Sequence, residues 1–347
     1  MLRFRSDEPI LVPDREWEAD GQAVASGAFV EADGVSVRLY YLVRFETDPL
    51  RNVICLARTR DLRHWEKPDR GDGTNVVMRS SGHQTDWGEF MPCRILFDPQ
   101  DAQVSARWKM LYWDRPAADR PAGFCLAGSP DGLRWTPLFD QPFITNANDA
   151  GSMIDAGGEA KDPLGRARFF LYQQTWKYNP RLPTERDNLK GMHRRISVWR
   201  TGRLDGHWVG PVTVLEPDEQ DPPDMQFYWL TPFHAKGGYG GLLHCHHTAD
   251  QTMDVQLVVS PDGWSWRRAN GRRPVLGLGE KGRFDCGMVY AWSAPILRQG
   301  RVLVFYNGRA TVHDGQPRYP DPAAPPATQG IGLAEFDQDL LAGFPNA

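Results

Sequence analysis

Acidic residues recur along the chain just ahead of short apolar runs, most with tryptophan or tyrosine close by. The stretches are "REWEAD" (15–20), "TDWGEF" (85–90), "NANDAG" (146–151), "PPDMQFYW" (222–229) and "RFDCGMVYAW" (283–292). Carboxylates that converge on one low-dielectric pocket repel one another and push their pKa values apart. One is then protonated and can act as a general acid, while another stays ionised as base or nucleophile. Cleavage of a glycosidic bond needs that pair. Glu18 or Asp20, Asp86 or Glu89, and Asp149 are the catalytic candidates. Asp224 and Asp285 are expected to bind sugar hydroxyls, and Trp87, Trp229 and Trp292 offer flat faces to the apolar side of a sugar ring. Glu89 precedes apolar "FMPC" beside Trp87, so desolvation is expected to make it the acid. Asp149 follows polar "TNAN" and is expected to be solvated and ionised. The plainer alternative is that each Asp caps a turn through backbone N–H groups.

Elements must bring these acids together, and the repeats suggest how. "GSPDGLRW" (128–135) and "VSPDGWSW" (259–266) are the same turn, with Pro presetting φ, Asp bonding backbone ahead of it, and Gly accepting positive φ. Related copies are "CLARTRDLRHW" (55–65) and "SVWRTGRLDGHW" (197–208), with a degraded "GIGLAEFDQDL" at 330–340. The tryptophans at 65, 135, 208 and 266 stand 58 to 73 residues apart, a spacing of repeat units. Short runs such as "VSVRLYYLV", "ARWKMLYW" and "RVLVFYNG" read as strands, and long helical periodicity is missing. "EPILVPDREWE" (8–18) has the pattern of a unit's outermost strand, yet no unit precedes it. A ring solves this: segment 8–13 pairs into the last sheet and closes the circle, leaving only short protected edges. The expectation is an all-β, five-bladed β-propeller over residues 1–347, a single domain whose first strands carry the acids to one mouth of a central channel.

The repeated S-P-D-G-x-x-W turn, the strands opened by acids and the closing N-terminal strand resemble the five-bladed propeller glycoside hydrolases. These include arabinanases, β-xylosidases, invertases, levansucrases and mannoside phosphorylases, and the resemblance covers nearly the whole chain. It implies a base or nucleophile on blade one (Glu18 or Asp20), a pKa-tuning acid on blade two (Asp86 or Glu89) and the general acid on blade three (Asp149). The invertase-type Asn-Asp-Pro, Arg-Asp-Pro and Glu-Cys motifs are absent, and blade three opens with Asp where Glu is expected, so the branch is divergent. The implied activity is hydrolysis of a terminal glycosidic bond in an oligosaccharide or glycoside. A phosphorylase of the same fold and a non-catalytic sugar-binding propeller are the alternatives.

Other constellations add less. Arg94, Arg195 and Arg309 could form a sialidase-like triad on paper, but no spacing supports it; Arg94 is retained as a substrate-binding candidate. In "HCHHTAD" (244–250), His244 and His246 share one strand face while Cys245 and His247 share the other, so the four cannot hold one ion. Neither pair has the spacing of a structural zinc site. The charged insertion "KYNPRLPTERDNLKGMHRR" (177–195) reads as a loop over the channel mouth, with Arg186, His193 or Arg194 reaching substrate. No cofactor is implied, although the resemblance admits a structural Ca²⁺ in the channel. Forty Lys+Arg against 44 Asp+Glu, without blocks of one sign, give no footprint for nucleic acid or a membrane surface. Five scattered Cys do not form a disulfide framework, and Cys93, Cys125 and Cys245 are expected as buried thiols. With no apolar leader at "MLRFRSDEPILVPD", the expected location is the cytoplasm.

Overall fold

The computed structural model describes residues 1–85, 87–145, 148–162, 165–320 and 329–341, excepting the side chains within 158–166. Among the described residues there are strands, turns and short 3-10 helices, with no α-helix and no helix able to cross a membrane. The first sheet runs in chain order through Gln22–Val30, Val37–Arg44, Val53–Thr59 and Val76–Arg79. The second takes Met91–Phe97, Trp108–Asp114, Gly123–Ser129 and Ile144–Thr145, with Thr136–Pro137 added on Gly123–Ser129. The third is Gly151–Asp162, Gly165–Tyr178, Met192–Thr201 and Val209–Leu215. The largest sheet joins two such meanders through one parallel pairing, Met253 with Met288. One meander contains Met225–Ala235, Gly238–His247 and Thr252–Ser260; the other contains Met288–Tyr290, Arg301–Arg309, Gly330–Phe336 and Leu2–Arg5.

The inner strands are apolar without alternation because both their faces are covered. In Val37–Val43, Leu39, Tyr41 and Val43 pack with Phe305 and Leu333 of the largest sheet. Tyr40, pointing the other way, packs with Met110 and Tyr112 of the second sheet. The repeated turn explains how neighbouring sheets lock together. Ser129 Oγ accepts the Gly132 N–H at 2.9 Å, Asp131 Oδ1 accepts the Leu133 N–H at 2.7 Å, and Gly132 takes φ +73°. Trp135 donates its indole N–H to the Gly132 carbonyl at 3.2 Å, and Tyr40 of the first sheet donates its hydroxyl to the same oxygen at 2.8 Å. The second copy repeats this: Trp266 and Tyr172 both donate to Gly263 O, at 3.1 and 2.5 Å. The Trp of the motif therefore closes a turn that the preceding sheet grips by a tyrosine.

The N-terminal ladder lies elsewhere than the sequence suggests. Leu2–Arg5 is the strand that pairs antiparallel with Gly330–Phe336, while segment 8–13 supplies only an isolated bridge between Leu11 and Ile331. Ile10 N–H and the Leu11 carbonyl both bond Ile331, at 2.7 and 3.2 Å, while Pro9 and Pro13 on either side lack the N–H donors that would extend the pairing. All five cysteines are buried free thiols.

Arg5 anchors this strand by donating to Asp285 Oδ2 from Nη2 at 2.5 Å and to the Gly277 carbonyl from Nη1 at 2.7 Å. Asp285 is fully buried. Arg5→Met strips this carboxylate of its main partner, and breaking such a pair costs about 3–5 kcal/mol. A clearly lower urea midpoint is the expected result; an unchanged midpoint would mean the N-terminal strand carries no stability.

Candidate active site

A cavity of about 350 Å³ lies where strand ends of all these sheets meet. The first sheet contributes Arg44 and Glu46, the second Glu89 and Met91, and the third Asp149. The largest sheet supplies Trp229, Tyr290, Trp292 and Arg309, and the loop beyond it supplies His313 and Asp314. A chain of alternating charge runs along the wall. Arg309 Nη2 reaches Glu46 Oε1 at 2.5 Å, Arg44 Nη1 reaches the same oxygen at 3.4 Å, and Arg44 Nε donates to Glu89 Oε1. Asn52 donates to Glu89 Oε2 at 3.0 Å, and is itself fixed by accepting the Phe45 N–H at 2.8 Å. Both oxygens of Glu89 thus accept from N–H donors, one from an arginine and one from a fixed amide. Burial opposes the charge on Glu46, but Arg309 and Arg44 hold its carboxyl below the usual range.

Asp149 has the opposite setting. It keeps some exposure to the cavity, yet the protein around it is dense enough that burial pushes its pKa up to about 7. The negative charge of Glu89 adds to the rise, while Arg44 and the backbone N–H groups of Asp149 and Glu89 oppose it. Gly88 makes the close approach possible. Its φ is +74°, and a Cβ there would stand 2.7 Å from Asp149 Oδ2. Aromatic rings line the same cavity: Trp229 stacks with His244, at 6.4 Å and 11°, and with Trp292, at 5.0 Å and 18°. Trp292 is the partly exposed member of this stack.

The cavity therefore unites Glu89, Asp149, Trp229 and Trp292 from the sequence reading, with their environments reversed. Asp149, expected to be solvated, is the desolvated carboxyl; Glu89, expected to be desolvated, is the one paired with arginine. Other candidates serve the scaffold. Glu18 is fully buried and meets Lys67 Nζ at 2.6 Å, Tyr41 Oη at 3.0 Å and the N–H groups of Asp14 and Arg15. Asp20 sits exposed in a turn at φ +66°. Asp224 accepts the Ala249 N–H at 3.4 Å in a turn, and Asp285 belongs to the Arg5 pair. Trp87 is exposed and packs edge-on against Trp176. Arg94 is buried away from the cavity wall, its Nε unpartnered and its pKa drawn down to about 10 by burial. His193 lies on a strand of the third sheet opposite Lys177. Asp86 lies outside the described residues. From the insertion, Arg186 reaches the rim by pairing with Asp314 at 2.7 Å, while Arg194 is fully buried on Asp187.

Sequence reasoning missed Arg44, Glu46, Asn52 and His313, and had Arg309 only in the rejected triad. Their one signal is position: "YYLVRFE" and "VFYNGR" each put charge directly after a buried strand.

No protein-family model and no curated protein matches the chain. Solved structures do. An N-acetylgalactosamine deacetylase from F. plautii, in complex with blood group B trisaccharide, aligns over 98% of this chain and 97% of its own, with TM-score 0.63 and 14% identity. A structure from work on GH130 mannoside phosphorylases, a family described as containing hydrolases of β-1,2 mannosidic linkages, aligns over 99% and 96%, with TM-score 0.62 and 10% identity. A thermostable family-43 glycoside hydrolase aligns over 98% and 96%, with TM-score 0.60 and 14% identity. The likeness is one of fold. At that level the resemblance drawn from the sequence is borne out: this chain shares the fold of propeller-type glycosidase structures.

The raised Asp149 carboxyl has a consequence for stability. The folded chain keeps its proton up to about pH 7, whereas the unfolded chain loses it near pH 4. Wild-type stability therefore falls through this group as pH rises between those values, and levels off above. Asp149→Asn removes that slope. Its urea midpoint is expected to gain on wild type progressively from pH 4 to pH 7; parallel profiles would show that the carboxyl titrates normally.

Proposed function

We propose that the chain is a carbohydrate-active enzyme, a glycoside hydrolase acting on a terminal glycosidic bond, built as a five-bladed propeller. The ring is supported by contacts between the last and first units: Asn307 accepts the Ala25 N–H at 2.6 Å and donates to Ala25 O at 3.3 Å. The observation that carries the function is the carboxyl pair. One cavity holds an acid with pKa about 7 and an arginine-paired carboxylate, together with a tryptophan stack. Asp149 is the general acid, protonating the leaving oxygen as the bond breaks. Glu89 is the ionised partner, acting on the anomeric carbon directly or through water. Trp292 takes the apolar face of the sugar.

A phosphorylase reading has one observation in its favour, the presence of Arg44, Arg309 and His313 in the same wall. Both arginines are occupied by Glu46, and burial draws the His313 pKa down to about 4, leaving the ring uncharged near neutrality. Hydrolysis is the better fit.

The test is a glycoside panel with and without inorganic phosphate. Turnover is expected without phosphate, with kcat falling as pH rises through about 7 as Asp149 loses its proton. Asp149→Asn should lose on the order of 10²–10⁴-fold on substrates with poor leaving groups and much less on activated aryl glycosides, which need no proton. Glu89→Gln should fail on both. Strict dependence on phosphate would replace hydrolysis by phosphorolysis. Sugar binding without turnover would make the chain a lectin-like propeller.

A further inference from the structure

One cluster at the cavity wall is not used by this chemistry. Asp187 of the 177–195 insertion, His246 near the end of strand Gly238–His247, and His313 of the loop after Arg301–Arg309 each turn a ligand atom inward. The three atoms lie within 4.8 Å of one another. These segments are remote in sequence, and the fold alone assembles them.

The hydrogen bonding around the cluster is incomplete in a specific way. His246 is fully buried, and among the described residues no partner stands in good hydrogen-bond geometry to either of its ring nitrogens. Gln251 is the side chain that interacts with the ring, but its Nε2 is spent on the Thr248 carbonyl at 2.8 Å, and its Oε1 also lacks a partner in good geometry. A neutral imidazole has one donor and one acceptor nitrogen, and buried polar atoms are seldom left without partners. His313 has Nε2 against Tyr228 Oη at 3.1 Å, which leaves Nδ1 facing Asp187 Oδ1 at 3.8 Å, too far for a hydrogen bond. Both oxygens of Asp187 accept from the terminal nitrogens of Arg194, the Nη2–Oδ1 contact being 2.9 Å, and this fixes the carboxylate with Oδ1 toward His313.

We propose that Asp187, His246 and His313 form a binding site for one divalent transition-metal ion of the zinc class, at the edge of the cavity. Two imidazoles and a carboxylate are a common donor set for such ions, and three protein ligands leave a position for water or a substrate oxygen. Tyr228 and Arg194 play the supporting part, fixing the ring of His313 and the carboxylate of Asp187. Arg194 also decides which ion fits. Its positive charge offsets that of Asp187, so binding must come mainly from the imidazole nitrogens. Ca²⁺ and Mg²⁺, which require oxygen ligands, are disfavoured. Bonds of about 2.0–2.1 Å place tetrahedral ligands roughly 3.4 Å apart, so the side chains draw together on binding. The site stands independently of the hydrolase reading.

The experiment is a Co²⁺ titration of the full chain after treatment with a chelator, followed by visible ligand-field absorption. One Co²⁺ per chain is expected, displaced by Zn²⁺ and not by Ca²⁺. Tyr228→Phe, which leaves the three ligands and the packing in place, should weaken binding about 10–100-fold. His246→Ala should abolish the band, while His234→Ala, at an exposed histidine away from the cluster, should leave it unchanged. Absence of a stoichiometric band overturns the proposal. So does wild-type affinity in His246→Ala, or in Tyr228→Phe should His246→Ala fail to fold. Because the readout is metal binding, neither outcome depends on finding the right glycoside.

Discussion

The alternating chain Arg309–Glu46–Arg44–Glu89 is the constraint on which the site depends. Its members come from the ends of strands in the last, first and second units, and no two neighbouring sheets could supply it alone. Each arginine faces two acids or one acid and the cavity, so the charges offset one another locally. That leaves Asp149 as the carboxyl whose burial is not compensated by an ion pair. Its raised pKa follows from its own desolvation and from the negative charge of Glu89. Moving any of the three sheets would alter the charge chain first and Asp149 through it.

Holding strand ends in register across sheets is a packing problem, and the tyrosine-gripped turns address it. Tyr40 and Tyr172 each reach out of one sheet to a carbonyl in the turn of another, at a position where glycine alone is comfortable. The bonds are short and buried, so sliding one sheet along the next would leave a carbonyl and a hydroxyl unpaired at each grip. The conserved-looking Ser-Pro-Asp-Gly turn within this chain is therefore a docking element for the neighbouring sheet, and the catalytic candidates lie elsewhere.

Much of this was legible from the sequence and some was not, for physical reasons. Strand-rich units, the repeated turn, the buried thiols and the acids Glu89 and Asp149 follow from local patterns. The pattern of an acid opening each unit was misleading at Glu18, Asp224 and Asp285, because the repeat conserves a position and not a role. Lys67 claims Glu18, the Ala249 N–H claims Asp224, and Arg5, from the far end of the chain, claims Asp285. Flanking residues also misjudged the carboxyl pair. "TNAN" is polar, yet what surrounds Asp149 is the Gly88 loop of another sheet. "FMPC" is apolar, yet what meets Glu89 is Arg44 and Asn52. A carboxyl's environment in this fold is set by neighbours across sheets, which local sequence does not reveal.

The coupling between the two carboxyls has a chemical consequence under the proposed reaction. Part of the rise at Asp149 comes from the charge on Glu89, so any step that removes that charge also lowers the Asp149 pKa. Bond formation between Glu89 and the sugar would do so, as would a proton taken from water. At the same moment Asp149 has given its proton to the leaving group. The newly formed carboxylate then faces a neutral Glu89 and the positive charge of Arg44, which stabilise its ionised form. Asp149 is thus held protonated before bond cleavage and is a more stable carboxylate after it. When Glu89 regains its charge at the end of the cycle, repulsion raises the Asp149 pKa and favours reprotonation. A carboxyl pair coupled by charge beside one arginine can alternate in this way without moving the backbone, which suits a site built on the rigid ends of packed strands.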